Sequence, residues 1–133
     1  MRLLYLVLSF CLSASALPAQ TLEIGTEPEW VEVLPLPPED STLRAEVEGG
    51  QFFLLSDHQL RWDGEVRQSY ARTVAEVTDR AGQEELATIQ LDFDPEFETA
   101  SLVRLVVWRE GQEIDLKDRV EAQVFRRETR LEE

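Results

Sequence analysis

The sequence predicts an all-β domain of antiparallel, β-sandwich-like architecture, and three observations carry that prediction. Turn signals recur at Gly49-Gly50, Asp63-Gly64, Ala81-Gly82 and Glu110-Gly111. The runs between them are rich in β-branched and aromatic residues, which suit a pleated, half-buried surface. No apolar stripe with a 3.6-residue period persists over a useful length, so no long amphipathic helix is expected.

The chain opens with "MRLLYLVLSFCLSASALPAQ": one positive charge at Arg2, an apolar run, then small residues leading to Ala16 and Ala19. That three-part layout predicts a secretory signal peptide over residues 1–19. The apolar run is well short of the roughly 20 residues that span a bilayer. Pro18 disfavours a cut after Ala16, which makes Gln20 the expected mature start. Cys11 leaves with the signal, and Phe10 before it lacks the small side chain of a lipid-attachment site.

Losing Arg2 leaves 12 basic residues against 27 acidic ones, a formal charge of −15 on a mature chain of about 114 residues. So acidic a domain is a poor partner for nucleic acid or for an anionic membrane surface. Lacking cysteine, it depends on its hydrophobic core alone, and it is long enough to bury one. The expected location is periplasmic or secreted.

Residues 21–40, "TLEIGTEPEWVEVLPLPPED", hold Pro28, Pro35, Pro37 and Pro38. That density excludes a helix and predicts an extended lead-in over 20–40 from which Trp30, Val33, Leu34 and Leu36 dock on a neighbouring surface. The β-domain proper is expected over 41–133. "QFFLLSDHQLRW" reads as a strand closed by the Asp63-Gly64 hairpin signal, and 65–79 as its returning partner. After Ala81-Gly82, "EELATIQLDF" alternates Leu86, Thr88, Gln90 and Asp92 with Ala87, Ile89, Leu91 and Phe93. This predicts another strand and a long hairpin, with Ile89, Leu91, Phe93 and Phe97 facing inward. The run from Leu102 to Trp108 is apolar at nearly every position, as a strand buried on both faces requires. Glu110-Gly111-Gln112 turns it into residues 113–116, and alternation at Val120, Ala122 and Val124 predicts a final strand.

Residues able to carry chemistry are few. Ser56, Asp57 and His58 are consecutive, and neighbours in a strand point to opposite faces, so they form no triad. The acidic row Asp92, Asp94, Glu96 and Glu98 offers oxygen ligands of the kind calcium prefers, but an extended row does not curl around an ion. A glycosidase pair would need two carboxylates singled out by position, and none is. Trp62 and Trp108 suit either a sugar-stacking platform or a buried core. The expectation is no catalytic residue, no cofactor and no metal.

Several pieces together resemble a known family: the Tyr70-Ala71-Arg72 strand, the "AGQEEL" turn, Phe93-Asp94-Pro95, "VWREGQEID" and the tail "VFRRETRLEE". Over about residues 41–133 the sequence resembles the uncharacterised domain that precedes the transglutaminase-like core in many exported bacterial proteins. The resemblance implies an all-β accessory module without established activity, whose partner is a transglutaminase-like core or another exported protein. Members usually continue into a core with cysteine, histidine and aspartate. This sequence stops at Glu133, so no catalytic residue carries over, and a stand-alone domain and the leading fragment of a longer protein are both consistent with it. The expected function is thus a non-catalytic exported β-domain. A free-standing saccharide- or peptide-binding module and a small carboxylate-dependent hydrolase are the alternatives.

Overall fold

The computed structural model describes residues 4–14, 22–38, 47–95 and 97–123. Its strands are β1 (Leu4–Ala14), β2 (Glu23–Ile24), β3 (Gln51–Trp62), β4 (Arg67–Val77), β5 (Glu98–Arg109) and β6 (Gln112–Asp115). Among the described residues, one helix, α1 (Arg80–Leu86), and a 3-10 turn at Lys117–Arg119 are the other elements. All six strands lie in a single sheet of order β2-β5-β1-β4-β3, with β6 also paired to β5. The pairings are antiparallel except for β2 on β5, which makes the sheet mixed.

Local chemistry explains the hairpins. Asp63 turns β3 into β4: its carboxylate accepts from the backbone N–H of Val66 at 2.8 Å and of Glu65 at 3.1 Å. Those two bonds hold the Asp63 carboxyl below its ordinary value. Between β5 and β6, Glu110 and Gly111 both take left-handed backbone, φ 54 and 77. A two-residue hairpin with that hand matches the twist of its strands.

The core has two faces. On one, Val7, Val74 and Val106 form a buried cluster beside another of Cys11, Tyr70 and Val103. On the other, Phe10, Leu102 and Leu105 are covered by Leu22, Leu91, Leu116 and Val120. The all-β class holds, but the layer over each face is non-strand chain rather than a second sheet. Residues 22–38 wrap the β5 edge: Leu22 packs on the second face, while Trp30 and Val31 pack on the first.

Three expectations need correction. Residues 80–86 are helical, not the start of a strand, because Asp79 caps the helix by accepting from Gly82 N–H at 3.0 Å and Glu84, Glu85 and Leu86 are good helix formers. A returning strand at 84–93 had no edge of β4 to pair with, since β3 and β1 occupy both. Consequently Leu91 is the inward residue there, Phe93 is half-buried, and Ile89 and Phe97 are exposed. Residues 120–123 follow the 3-10 turn without strand pairing, and Val124 lies outside the described residues, as do Ala16 and Ala19.

The residues read as a signal peptide supply the most enclosed strand. β1 pairs with β4 from Leu4 opposite Val77 to Ser13 opposite Gln68, and with β5 from Leu4 opposite Arg109 to Ala14 opposite Glu98. Val7, Ser9, Phe10 and Cys11 are all buried, so both faces of this strand are covered.

Candidate functional site: an extended segment clamped on the sheet

β3 and β4 present a row of polar side chains to residues 22–38. Adjacent strands place Gln59 opposite Tyr70 and Asp57 opposite Arg72, and Tyr70 in turn lies opposite Cys11 of β1. Alternation along each strand puts all of these on the face where Trp30 and Val31 pack.

Each group in the row binds the extended segment or orients one that does. The Gln59 side-chain amide reads both backbone groups of one residue, accepting from Glu32 N–H at 2.9 Å and donating to Glu32 C=O at 2.6 Å. Its NH₂ also donates to the buried Asp57 carboxylate at 2.7 Å, which fixes the amide's orientation. Arg72 donates to Leu34 C=O at 2.9 Å. The Tyr70 hydroxyl lies 3.1 Å from a Glu27 carboxylate oxygen and 3.2 Å from the Ser9 hydroxyl. Burial pushes the Tyr70 phenol above its ordinary value; the Ser9 bond works against that shift and Glu27 adds to it. Three of these bonds are to backbone and independent of the side chains at Glu32 and Leu34. This is the chemistry of holding an extended polypeptide.

The residues nominated from sequence do not converge. Ser56 and His58 are exposed on the opposite face of β3 from the buried Asp57, so the string forms no triad. The acidic row breaks at a turn in which Asp94 C=O accepts from Phe97 and Glu98 N–H. Glu98, at the start of β5, accepts from Asp94 N–H and pairs with Arg67 at 3.2 Å, while Glu96 lies outside the described residues. No group of three or more metal-ligating side chains gathers among the described residues. Trp62 ends β3 and is 69% exposed, whereas Trp108 packs beside Val7, Val74 and Val106. The register sets Trp62 level with Arg67 and Trp108 level with Glu76 and Phe52. They stand roughly 30 Å apart along the sheet at about 3.3 Å per residue, too far for one platform.

Of the lead-in residues expected to dock, Trp30 does so and Leu34 is half-buried and held through its carbonyl. Val33 and Leu36 are exposed. Gln59 was not legible, since a lone glutamine in a strand carries no signal. Tyr70 and Arg72 stood out only as part of the family resemblance.

Fold and site together define an all-β domain whose interior polar groups grip its own extended chain. Residues 64–133 match the family model of DUF3857, a domain of unknown function with a solved structure. The match spans more than half of the sequence, and the chain belongs to this family. No curated protein and no solved structure matches it significantly.

Proposed function

We propose that this chain is a non-catalytic, exported accessory domain that supports or positions a partner protein, a transglutaminase-like core or another exported chain. The clamp carries this reading. Tyr70, Gln59, Asp57 and Arg72, polar side chains in a row on β3 and β4, are engaged with residues 27–34 or with one another. Groups committed in this way build a rigid platform; catalysis instead requires a nucleophile and base that face a common substrate position. The Arg2, apolar and small-residue layout supports export to the periplasm or beyond.

The test is mass measurement of protein recovered outside the cytoplasm, followed by assays for amide cleavage, glycoside cleavage and acyl transfer. The expected start is Leu17 or Gln20, with no turnover. Turnover abolished by one carboxylate or His58 substitution would overturn the accessory role, and an intact Met1 in exported material would overturn the signal reading. The exposed Trp62 and Leu60 on β3 favour a second reading, a peptide- or saccharide-binding module. Titration with oligosaccharides and extended peptides while following tryptophan fluorescence tests it, and saturable quenching lost in Trp62→Ala would support it.

A further inference from the structure

We propose that the place held by β1 between β4 and β5 is a strand-acceptor site, filled after export by an apolar strand from a partner outside these 133 residues. The inference rests on the export reading, because cleavage before Leu17 or Gln20 removes the whole of Leu4–Ala14. Without β1, the inner edges of β4 and β5 each present roughly ten unpaired N–H and C=O groups. Val74, Val106 and Leu102, now almost fully buried, lose part of their cover.

The segment that follows the signal keeps the gap open rather than letting β4 close on β5. β2 pairs with β5 through Ser101 and Leu102, and Gly25 N–H donates to Leu102 C=O at 2.9 Å. A few residues on, Glu27 meets Tyr70 of β4 and Glu32 is held by Gln59 of β3. Residues 23–32 thus form a strut from the far side of β5 across to β3, and all of them survive cleavage. Closing the gap removes one strand spacing, about 4.8 Å, and buckles the strut.

The present occupant defines the chemistry of its replacement. It runs antiparallel to both flanks and carries no charge over Leu6–Leu12. Toward the clamp it shows small or medium side chains: Val7 packs with Val74 and Val106, Ser9 meets the Tyr70 hydroxyl, and Cys11 packs with Tyr70 beneath Trp30 and Val31. Toward the other face it shows Leu6, Leu8 and Phe10 against Leu102 and Leu105. Within the sequence, "EDSTLRAE" at 39–46 and "VFRRETRLEE" at 124–133 are too charged for a site covered on both faces, and the described stretch 87–95, which lies outside the sheet, already covers the Leu102 and Leu105 face through Leu91 and carries Asp92 and Asp94. Among the described residues a second copy has no spare strand to give, and two mature chains of charge −15 repel each other.

The experiment exports the full gene product, confirms the mature start by mass, and follows amide exchange over residues 67–77 and 98–109. The probe is a synthetic peptide of residues 3–14 with flanking lysines and Cys11 replaced by alanine. Expected are one-to-one binding, at least tenfold slower exchange in both strands and a higher Tm, none of which the Phe10→Asp peptide produces. A mature chain that is unfolded alone and folds on adding the peptide supports the site equally. Full protection of both strands in the free monomer, protection that arises only with dimerisation in sedimentation, or no response to the peptide overturns it. A retained Met1 removes the export reading, and the site with it, which the mass alone reveals.

Discussion

Gly82 offers a test of the fold in which propensity and packing predict opposite signs. Glycine within a helix is worse than alanine by about 1 kcal/mol, so on propensity Gly82→Ala strengthens α1. The structure reverses that sign. A Cβ on Gly82 overlaps the carbonyl carbon and oxygen of Gly50, a residue fixed in a left-handed turn at φ 76. The obstacle is backbone, not the flexible end of a side chain, and that carbonyl already accepts from Thr78 N–H at 2.9 Å.

Relief requires either that α1 retreats, straining the Asp79 cap on Gly82 N–H, or that the Gly50 turn shifts and loses the Thr78 bond. Overpacking of this kind costs about 1–3 kcal/mol, a helix cap about 1 and a hydrogen bond about 1. Set against the gain of about 1 in propensity, the net is about 2 kcal/mol of destabilisation, or roughly 6–10 °C in Tm for a domain of this size. Thermal melts followed by circular dichroism measure it, with Gln83→Ala, one residue on and exposed, expected within about 0.5 kcal/mol of the parent. A Gly82→Ala variant melting at or above the parent would refute the close approach of α1 to the Gly49-Gly50 turn.

In the chain that retains residues 4–14, Leu105→Asp puts a carboxylate where a side chain sits buried against Phe10 and Leu102, and loss of apolar packing plus an unpaired charge predicts more than about 4 kcal/mol of destabilisation. A melt unchanged by it would sink the β5 assignment. Because burial raises the Tyr70 pKa in the fold, the unfolded chain ionises first, near 10.0, and releases a proton the folded chain retains. Stability from this group is complete below pH 10 and is lost as pH rises through the folded value, so Tyr70→Phe should cost about 1 kcal/mol at neutral pH and flatten the alkaline limb. Melts between pH 8 and 11.5 check this, and an alkaline limb identical in parent and variant contradicts it.

Strands whose pattern is set by local chemistry were legible from sequence. "QFFLLSDHQLRW" is β3 to the residue, since an aromatic and aliphatic run bounded by Gly49-Gly50 and Asp63-Gly64 has few other options. The Glu110-Gly111 turn and the two-faced apolar β5 were equally plain. The segment at 84–93 misled because period-two alternation is a statement about faces, and it produces a strand only where a free edge exists to pair with. That edge was taken by β1, a long-range fact no local window contains. The clamp was hidden for a related reason: Gln59 acts on Glu32, 27 residues away, and through backbone groups that every residue possesses.

Residues 3–14 satisfy two physical demands with one composition. The apolar core of an export signal needs an uncharged run about ten residues long, and a central strand covered on both faces needs the same. Sequence therefore cannot separate the two, and Arg2 with the small residues near Ala16 and Ala19 tips the reading toward export. Among its side chains, the Ser9 hydroxyl makes a hydrogen bond in the clamp, and Tyr70 keeps Glu27 when Ser9 leaves. Val7 and Phe10 contribute apolar packing, which an uncharged strand with small residues on one face and large ones on the other supplies. The groups that do discriminate, on Gln59, Arg72 and Tyr70, all act on residues 27–34, downstream of either cut. If export removes residues 1–19, as proposed above, the register of the remaining sheet stays encoded and the composition of the missing strand is specified, which is the condition under which a partner's strand completes a fold.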